Sequence, residues 1–330
     1  MEWEIEFNPL VVAATTAAPR RYTIRTDSPV RGRLEHTGTV AELGRIHPGL
    51  ARTARRFDRR HGTVFGDVGT PAVMGILNVT PDSFWDGGRY FDRRAAVAAG
   101  RRMAEAGAAV VDVGGESTRP GAEDVDEREE RRRVVPVVRM LARCGIRVSV
   151  DTRKASVAKA ALEAGARIVN DVSALTHDPR MAQVVARSGA HVVLMHMRGT
   201  PRTMRSLACY TDVVRDVARE LRLALRRALR AGIPRGKIVL DPGIGFAKTA
   251  GQSLELIRRL SELRSLGCPI LVGPSRKSFI GETLERPVER RLAGTAAAVA
   301  VSVLQGAAVL RVHDVEEMHD VVRLSARLCR

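Results

Sequence analysis

Eight times between residues 71 and 328, a short apolar, β-branched run gives way to a longer amphipathic stretch. No other feature restricts the fold as tightly. The runs are 73–79 (VMGILNV), 110–114 (VVDVG), 147–151 (RVSVD), 168–170 (IVN), 191–196 (HVVLMH), 237–241 (KIVLD), 270–273 (ILVG) and 308–313 (AVLRVH). The helical stretches lie near 93–106, 125–143, 155–164, 179–188, 210–231, 251–265, 287–304 and 314–328. Gly107, Gly145, Gly165, Gly189, Gly232 and Gly267 mark helix stops. Runs without polar alternation suit strands buried on both faces, as parallel strands under helices are. Eight strand–helix units predict an α/β fold, a (β/α)8 TIM barrel, spanning 71–330. A doubly wound open sheet is the competing arrangement. It would carry a glycine-rich nucleotide turn after its first strand, where this chain has TPDSF.

Residues 1–70 lie outside the pattern. Trp3, Ile5 and Phe7 alternate with glutamates and predict a short strand. A second alternation surrounds Tyr22 and Ile24, and 48–60 (PGLARTARRFDRR) predicts a basic helix. No catalytic motif occurs here. The segment reads as an N-terminal extension that caps or plugs the barrel, with a partner-binding element as the alternative.

Charge and cysteine usage narrow the class of partner. The net charge is 54 − 37 = +17, and only five of the 54 cations are lysines. No run of five cations occurs and aromatics are 4%, so the stacking platforms of a nucleic-acid binder are missing. The excess predicts a solvated basic surface that attracts small anionic substrates, and no nucleic-acid partner. The acidic start MEWEIEF is unlike a signal peptide, and Ala296–Leu310 is too short and too interrupted to span a bilayer. Cys144, Cys209, Cys268 and Cys329 are widely spaced, with no CxxC. Reduced packing thiols in a cytoplasmic chain are expected.

The active site of a barrel lies at the C-terminal ends of its strands. In this chain those ends carry Asn78, Asp112, Asp151, Asn170 with Asp171, Met195 with His196, Asp241, the SRKS segment 275–278, and Arg311 with His313. Asp314 reads as a helix N-cap. One part of the rim is rich in acceptors: Asp151, Asn170 and Asp241. Carboxylates accept paired N–H donors from a flat, amino-rich heterocycle. A metal is the alternative ligand for this set, although His/carboxylate pairs at ligand spacing are missing. The other part is cationic: Arg119, Lys277, Arg311 and His313, with Asn78 nearby, a group suited to phosphate or pyrophosphate. The glycine-bearing loops 80–89 and 115–122 predict lids over the rim, the first with apolar Phe84 and Trp85 to cover something.

These motifs resemble those of the dihydropteroate synthases. The matching segments are MGILNVTPDSFWDGGRY (74–90), DVGGESTRPGA (112–122), VSVDTRK (148–154), IVNDVSAL (168–175), VVLMHMRGTPRTM (192–204), DPGIGF (241–246), SRKSFIG (275–281) and RVHDV (311–315). The resemblance covers about 71–328 and omits 1–70. It implies condensation of 7,8-dihydropterin-6-ylmethyl pyrophosphate with 4-aminobenzoate, assisted by Mg2+, in a homodimer. It places the pterin on Asp151, Asn170, Asp241 and Lys277, lined by Met195, Phe246 and Gly273. The pyrophosphate falls to Asn78, Thr118, Arg311 and His313, with Asn78 facing the metal. Lys277, Ser278, Phe84, Asp86, Ser117, Thr118 and Arg119 would form the aminobenzoate site. The catalytic set it implies is Asp151, Lys277, Arg311, His313, Asp86 and Arg119. The chain departs from the family pattern at Trp85 and Pro274, which puts the aminobenzoate pocket and loop motion in question. Three other readings compete, one of them nucleic-acid binding through the arginine-rich surface. A methyltetrahydrofolate–corrinoid methyltransferase barrel would have no use for SRKS and RVHDV. A non-catalytic pterin-binding paralogue would be expected to lack part of the cation set.

Overall fold

The computed structural model describes residues 9–15, 18–28, 32–58, 65, 70–80, 85–86, 90–117, 124–200 and 202–328. The predicted strand at Trp3–Phe7 lies outside them. The first structured unit is an antiparallel sheet of β1 (Leu10–Ala14), β2 (Tyr22–Ser28) and β3 (Gly32–Gly38), in that order. Helices Val40–Ile46 and Pro48–Asp58 cover it. Thr39 starts the first of them with a reciprocal capping box to Glu42. Val11, Tyr22, Ile24, Leu43, Leu50, Ala54 and Phe57 form the unit's own small core. Two strands and the helix Val40–Ile46 escaped the sequence reading, since each spans seven residues or fewer and leaves little periodicity to detect.

The barrel follows. Its strands are β4 (Ala72–Asn78), β7 (Val110–Gly114), β8 (Val148–Asp151), β9 (Ile168–Asp171), β10 (His191–Met195), β11 (Ile238–Asp241), β12 (Leu271–Val272) and β13 (Val309–Val312). A two-stranded ribbon, β5 (Trp85–Asp86) with β6 (Tyr90–Phe91), sits in the loop after β4. The eight barrel strands run parallel in the order β11-β10-β9-β8-β7-β4-β13-β12. A parallel bridge from Leu240 to Ile270 brings the two ends of that order together. This is the predicted (β/α)8 barrel. Eight helices alternate with the strands: Arg93–Glu105, Glu127–Arg143, Ala155–Glu163, Met181–Ser188, Val213–Arg230, Ala250–Arg258, Leu292–Leu304 and Val315–Leu328. Gly189, at φ 65°, is the left-handed C-cap of the fourth.

Alternation along the strands sorts the interior into layers. Ala72, Met74, Val110, Ile168, Val193, Val239, Leu271 and Val309 form one apolar layer at the N-terminal end. Phe65, 2% exposed, packs among them. Arg147 Nη1 donates to the Phe65 carbonyl at 2.6 Å, and the ring meets His191 edge-on at 5.4 Å. The N-terminal unit docks on the outer wall. There Ser265 Oγ accepts from the Val11 amide at 2.9 Å, and the Arg264 guanidinium lies 4.7 Å over the Phe57 ring.

Several expectations need correction. The helix predicted over 251–265 stops at Arg258 and continues as a 3-10 segment, Leu260–Leu266, which is the segment the N-terminal unit grips. Ser278–Leu284 is a further short helix inside what read as a loop. Asp314 supplies only its carbonyl to the last helix, accepting from the Met318 amide, while its carboxylate binds Arg276 at 2.6 and 2.8 Å. Packing accounts for Cys268, which is buried, but Cys144 and Cys209 are exposed. Each is set at the edge of a helix or turn where no core reaches it. Cys329 lies outside the described residues.

Candidate active site

Two to four residues beyond the apolar layer, the inward positions bring polar side chains to most strand ends, with Met195 and Gly273 the apolar exceptions. Met74 leads by Ile76 to Asn78, Val110 to Asp112, Ile168 to Asn170, Val193 to Met195, Val239 to Asp241, Leu271 to Gly273, and Val309 to Arg311 and His313. Ser149 and Asp151 do the same on β8. Strand register then brings them level: Gly114 stands beside Asp151, Asp151 beside Asn170, and Met195 beside Asp241.

Arg311 organises one side of this floor. Its Nε donates to Asp112 Oδ2 and its Nη2 to Asp151 Oδ2, both at 2.7 Å. Asn170 Nδ2 donates to the same Asp112 oxygen at 2.9 Å. Asp112 is fully buried, and its Oδ1 has no hydrogen-bond partner among the described residues. It was not singled out as a site residue, although the period-two layering above marks its position as facing the mouth. Burial works against the charge on Arg311, but Asp112 and Asp151 outweigh it and its pKa is raised. Burial raises the pKa of Asp151 against the opposing pull of Arg311, with Asp112 adding to the rise.

Asp241 and Lys277 face each other across the other side. Asp241 Oδ1 accepts from the Gly243 amide at 2.6 Å. Gly243 is at φ +66°, and a Cβ there would stand 2.0 Å from the His196 carbonyl oxygen, so only glycine closes this turn. Lys277 Nζ donates to the Ile244 carbonyl and lies 4.6 Å from the centre of the Phe246 ring. Burial lowers the Lys277 pKa to about 8 although Asp241 opposes it, and burial raises the Asp241 pKa although Lys277 opposes that. Gly273 leaves room here: a Cβ would be 3.7 Å from Arg311 Cβ and 4.0 Å from Lys277 Nζ. Met195 is buried in the wall.

Above the floor, Asn78 and Asp151 flank Gly114; a Cβ on that glycine would be 3.8 Å from Asn78 Oδ1 and 3.6 Å from Asp151 Oδ2. His313 Nδ1 is 3.0 Å from Ser275 Oγ, which also accepts from the His313 amide at 3.2 Å. This pair fixes the ring beside the mouth of the barrel. Ser117 is half-buried and Ser278 exposed. Phe84, Thr118 and Arg119 lie outside the described residues, as do the side chains of Trp85 and Asp86. Asp171 faces away from the rim. It accepts from Ser173 Oγ and the Ser173 and Leu175 amides, so it braces its own turn.

The base of the second loop is held by buried charge. Glu116 accepts from both Arg153 and Lys154, Lys154 also reaches Glu130, and Arg153 reaches Asp124. Arg153 and Lys154 directly follow the Asp151–Thr152 pair, so loop and floor share one anchor.

An acceptor-lined floor beside a cationic shoulder, at the C-terminal rim of a parallel barrel, stands where barrel enzymes bind their substrates. The family model described as pterin binding enzyme matches residues 74–313. A dihydropteroate synthase from a Synechocystis strain is 45% identical over 260 residues, covering 78% of this chain and 90% of that one. The solved Yersinia pestis dihydropteroate synthase with a sulfonamide drug complex superposes with a TM-score of 0.75 at 43% identity, covering 78% and 94%. That of Xanthomonas albilineans with 4-aminobenzoic acid does so at 0.74 and 45%, covering 78% and 93%. The chain belongs to the dihydropteroate synthase family of pterin-binding enzymes and is a transferase of that kind.

Proposed function

We propose that the chain joins 7,8-dihydropterin-6-ylmethyl pyrophosphate to 4-aminobenzoate, giving 7,8-dihydropteroate and pyrophosphate. The division of the rim into an acceptor floor and a cationic shoulder carries this reading. Asp151, Asn170 and Asp241 stand at the ends of β8, β9 and β11, and their acceptors suit the amino and ring N–H groups of a pterin. Lys277 and Phe246 supply a donor and a ring face on its other side. Arg311 and His313 border the same opening and match the pyrophosphate.

In the proposed reaction the bond from the 6-methylene carbon to the pyrophosphate oxygen breaks, and its electron pair leaves with pyrophosphate. Arg311 and His313 stabilise the charge gathering on that oxygen. The positive charge left on the methylene spreads into the pterin, where it draws the neighbouring Asp151 toward its ionised form. The aromatic amine then forms the new C–N bond and releases its proton to water. No side-chain nucleophile is required. Magnesium fits the donor set. Mg2+ is commonly held by one or two protein oxygens plus water and phosphate, and Asn78 Oδ1 is one such oxygen at the rim. Among the described residues no three His, Cys, Asp or Glu side chains gather to hold a metal by themselves. When bound, the ion would neutralise pyrophosphate charge as a Lewis acid.

A cytoplasmic setting belongs to the same proposal; among the described residues, no helix is long and apolar enough to cross a membrane. A homodimer is part of the same proposal. Leu304, Leu324 and Leu328 are 56%, 63% and 74% exposed on the last two helices, apolar surface that pairing would cover. Sedimentation at micromolar concentration should give twice the 35.9 kDa chain mass, and Leu324→Glu should shift it toward the monomer.

The deciding assay is pyrophosphate release with dihydropterin pyrophosphate and Mg2+, with and without 4-aminobenzoate. Release that requires 4-aminobenzoate, with dihydropteroate formed in equal amount, is the expected result. Pterin binding without release would instead mark a non-catalytic paralogue.

A further inference from the structure

Behind the turn that carries Phe246 runs a closed chain of polar side chains that the reaction above does not use. Lys248 Nζ donates to the Phe246 carbonyl at 2.8 Å and to Nδ1 of His196 at 3.0 Å. With Nδ1 accepting, the His196 ring proton sits on Nε2 and is donated to Glu220 at 2.8 Å. Arg198 Nε donates to Glu220 at 3.1 Å, and its guanidinium lies 4.0 Å over the Tyr210 ring. The Tyr210 hydroxyl then donates to the Ala247 carbonyl at 2.9 Å. The chain thus leaves the turn at one carbonyl and returns at the next.

Such a chain is costly as mere filling. Burial lowers the Lys248 pKa to about 7 and that of His196 to about 4, so methionine or leucine would pack here more cheaply. What it secures is a turn with little stability of its own. Gly243, Gly245 and Ala247 all have positive φ, at 66°, 78° and 49°, and Ala247 has a Cβ. That turn presents the Ile244 carbonyl and the Phe246 ring to Lys277. Both Lys248 hydrogen bonds survive loss of its charge, because a neutral amine keeps two N–H donors.

We propose that Lys248 is a positioning residue for the pterin pocket, acting through the Phe246 carbonyl and braced by His196, Glu220 and Tyr210. The inference rests on the pterin reading of that pocket. It is tested with Lys248→Met, which keeps the length and removes the donors, and with Tyr210→Phe, which removes only the bond to Ala247.

In Lys248→Met the KM for the pterin substrate should rise about tenfold, while that for 4-aminobenzoate stays within about twofold. Amide exchange at residues 243–248 should accelerate while exchange in the barrel strands holds. Tyr210→Phe should move both readouts the same way by a smaller factor. An unchanged pterin KM with unchanged exchange in folded Lys248→Met overturns the proposal. So does an equal rise in both KM values with a lowered Tm, which would mark a merely structural role. Should Lys248→Met fail to fold, Tyr210→Phe decides by the same readouts. A wild-type protein that makes no dihydropteroate would sink the functional reading alone, since exchange at 243–248 still tests the bracing.

Discussion

At the scale of single residues, the buried carboxylate of Asp112 ties the floor together. It receives Arg311 and Asn170 on one oxygen, so an amide in its place would lose the charge that holds Arg311. Asp112→Asn should lower kcat/KM for the pterin substrate about 100-fold, the scale of a lost hydrogen bond to a charged group. Steady-state kinetics alongside circular dichroism would check this; near-native kinetics in a folded variant would remove Asp112 from the site. Lys277 sets a pH limit. Its folded pKa of about 8 is below its ordinary value, so the proton is lost on the alkaline side, and kcat/KM for the pterin should fall above about pH 8. For stability the sign is opposite. Burying the charged amine costs most below pH 8, and the cost fades as pH rises toward the unfolded value near 10.4. Lys277→Arg should push the alkaline limb upward; a limb that stays in place would assign it to another group. Residue types alone named Asp151, Asn170, Asp241, Lys277, Arg311 and His313. They did not show that Arg311 is spent partly on Asp112 and Asp151, because separations of 199 and 160 positions are bridged only by the closed barrel.

At the scale of elements, helix starts are set by the residue just before them, a signal that the sequence reading used only at Asp314. Asp92, Asp126 and Asp212 each cap the helix that follows them, and Thr249 does so with Gln252. Asp178 breaks that rule. It caps the helix Ala155–Glu163 from a different loop, accepting from the Ala155 amide at 3.0 Å while Arg180 holds its carboxylate. The Arg180 hydrogen bonds lower its pKa to about 2, against the opposing effect of burial. Asp178→Ala should cost about 1 kcal/mol. The depressed carboxylate contributes its full stability above its unfolded pKa near 3.9 and loses it as pH falls through about 2. Thermal melts of the pair should therefore differ at pH 7 and converge near pH 2; a constant gap would refute the cap. No local pattern could have located this contact, since residue 178 is 23 positions beyond the amide it serves. The break at Arg259 has the same character. Nothing in 251–265 forbids a continuous helix, and the 3-10 segment is where Val11 and Phe57 dock.

At the scale of the molecule, stability and chemistry occupy opposite ends of one barrel. Phe65 and the apolar layer hold the N-terminal end; the polar floor lies two to four residues further along most of the strands. Phe65→Ala should cost about 3–5 kcal/mol yet leave kcat/KM per folded molecule within about twofold. Denaturant melts and kinetics together would test the separation, and a loss of activity without a loss of stability would contradict it. The sequence by itself determined the strand–helix alternation, and with it the barrel, the face on which each side chain falls and the chemical character of the rim. Those properties follow from side-chain periodicity and backbone preference, which act within a few residues. The tertiary structure alone decided that Asp112 shares Arg311, that Asp178 caps a distant helix, that His196 holds Lys248 behind the Phe246 turn and that the N-terminal unit grips Leu260–Leu266. Each of these contacts joins groups far apart along the chain, and hydrogen bonds and charge pairs depend on distances that exist only once the barrel has closed.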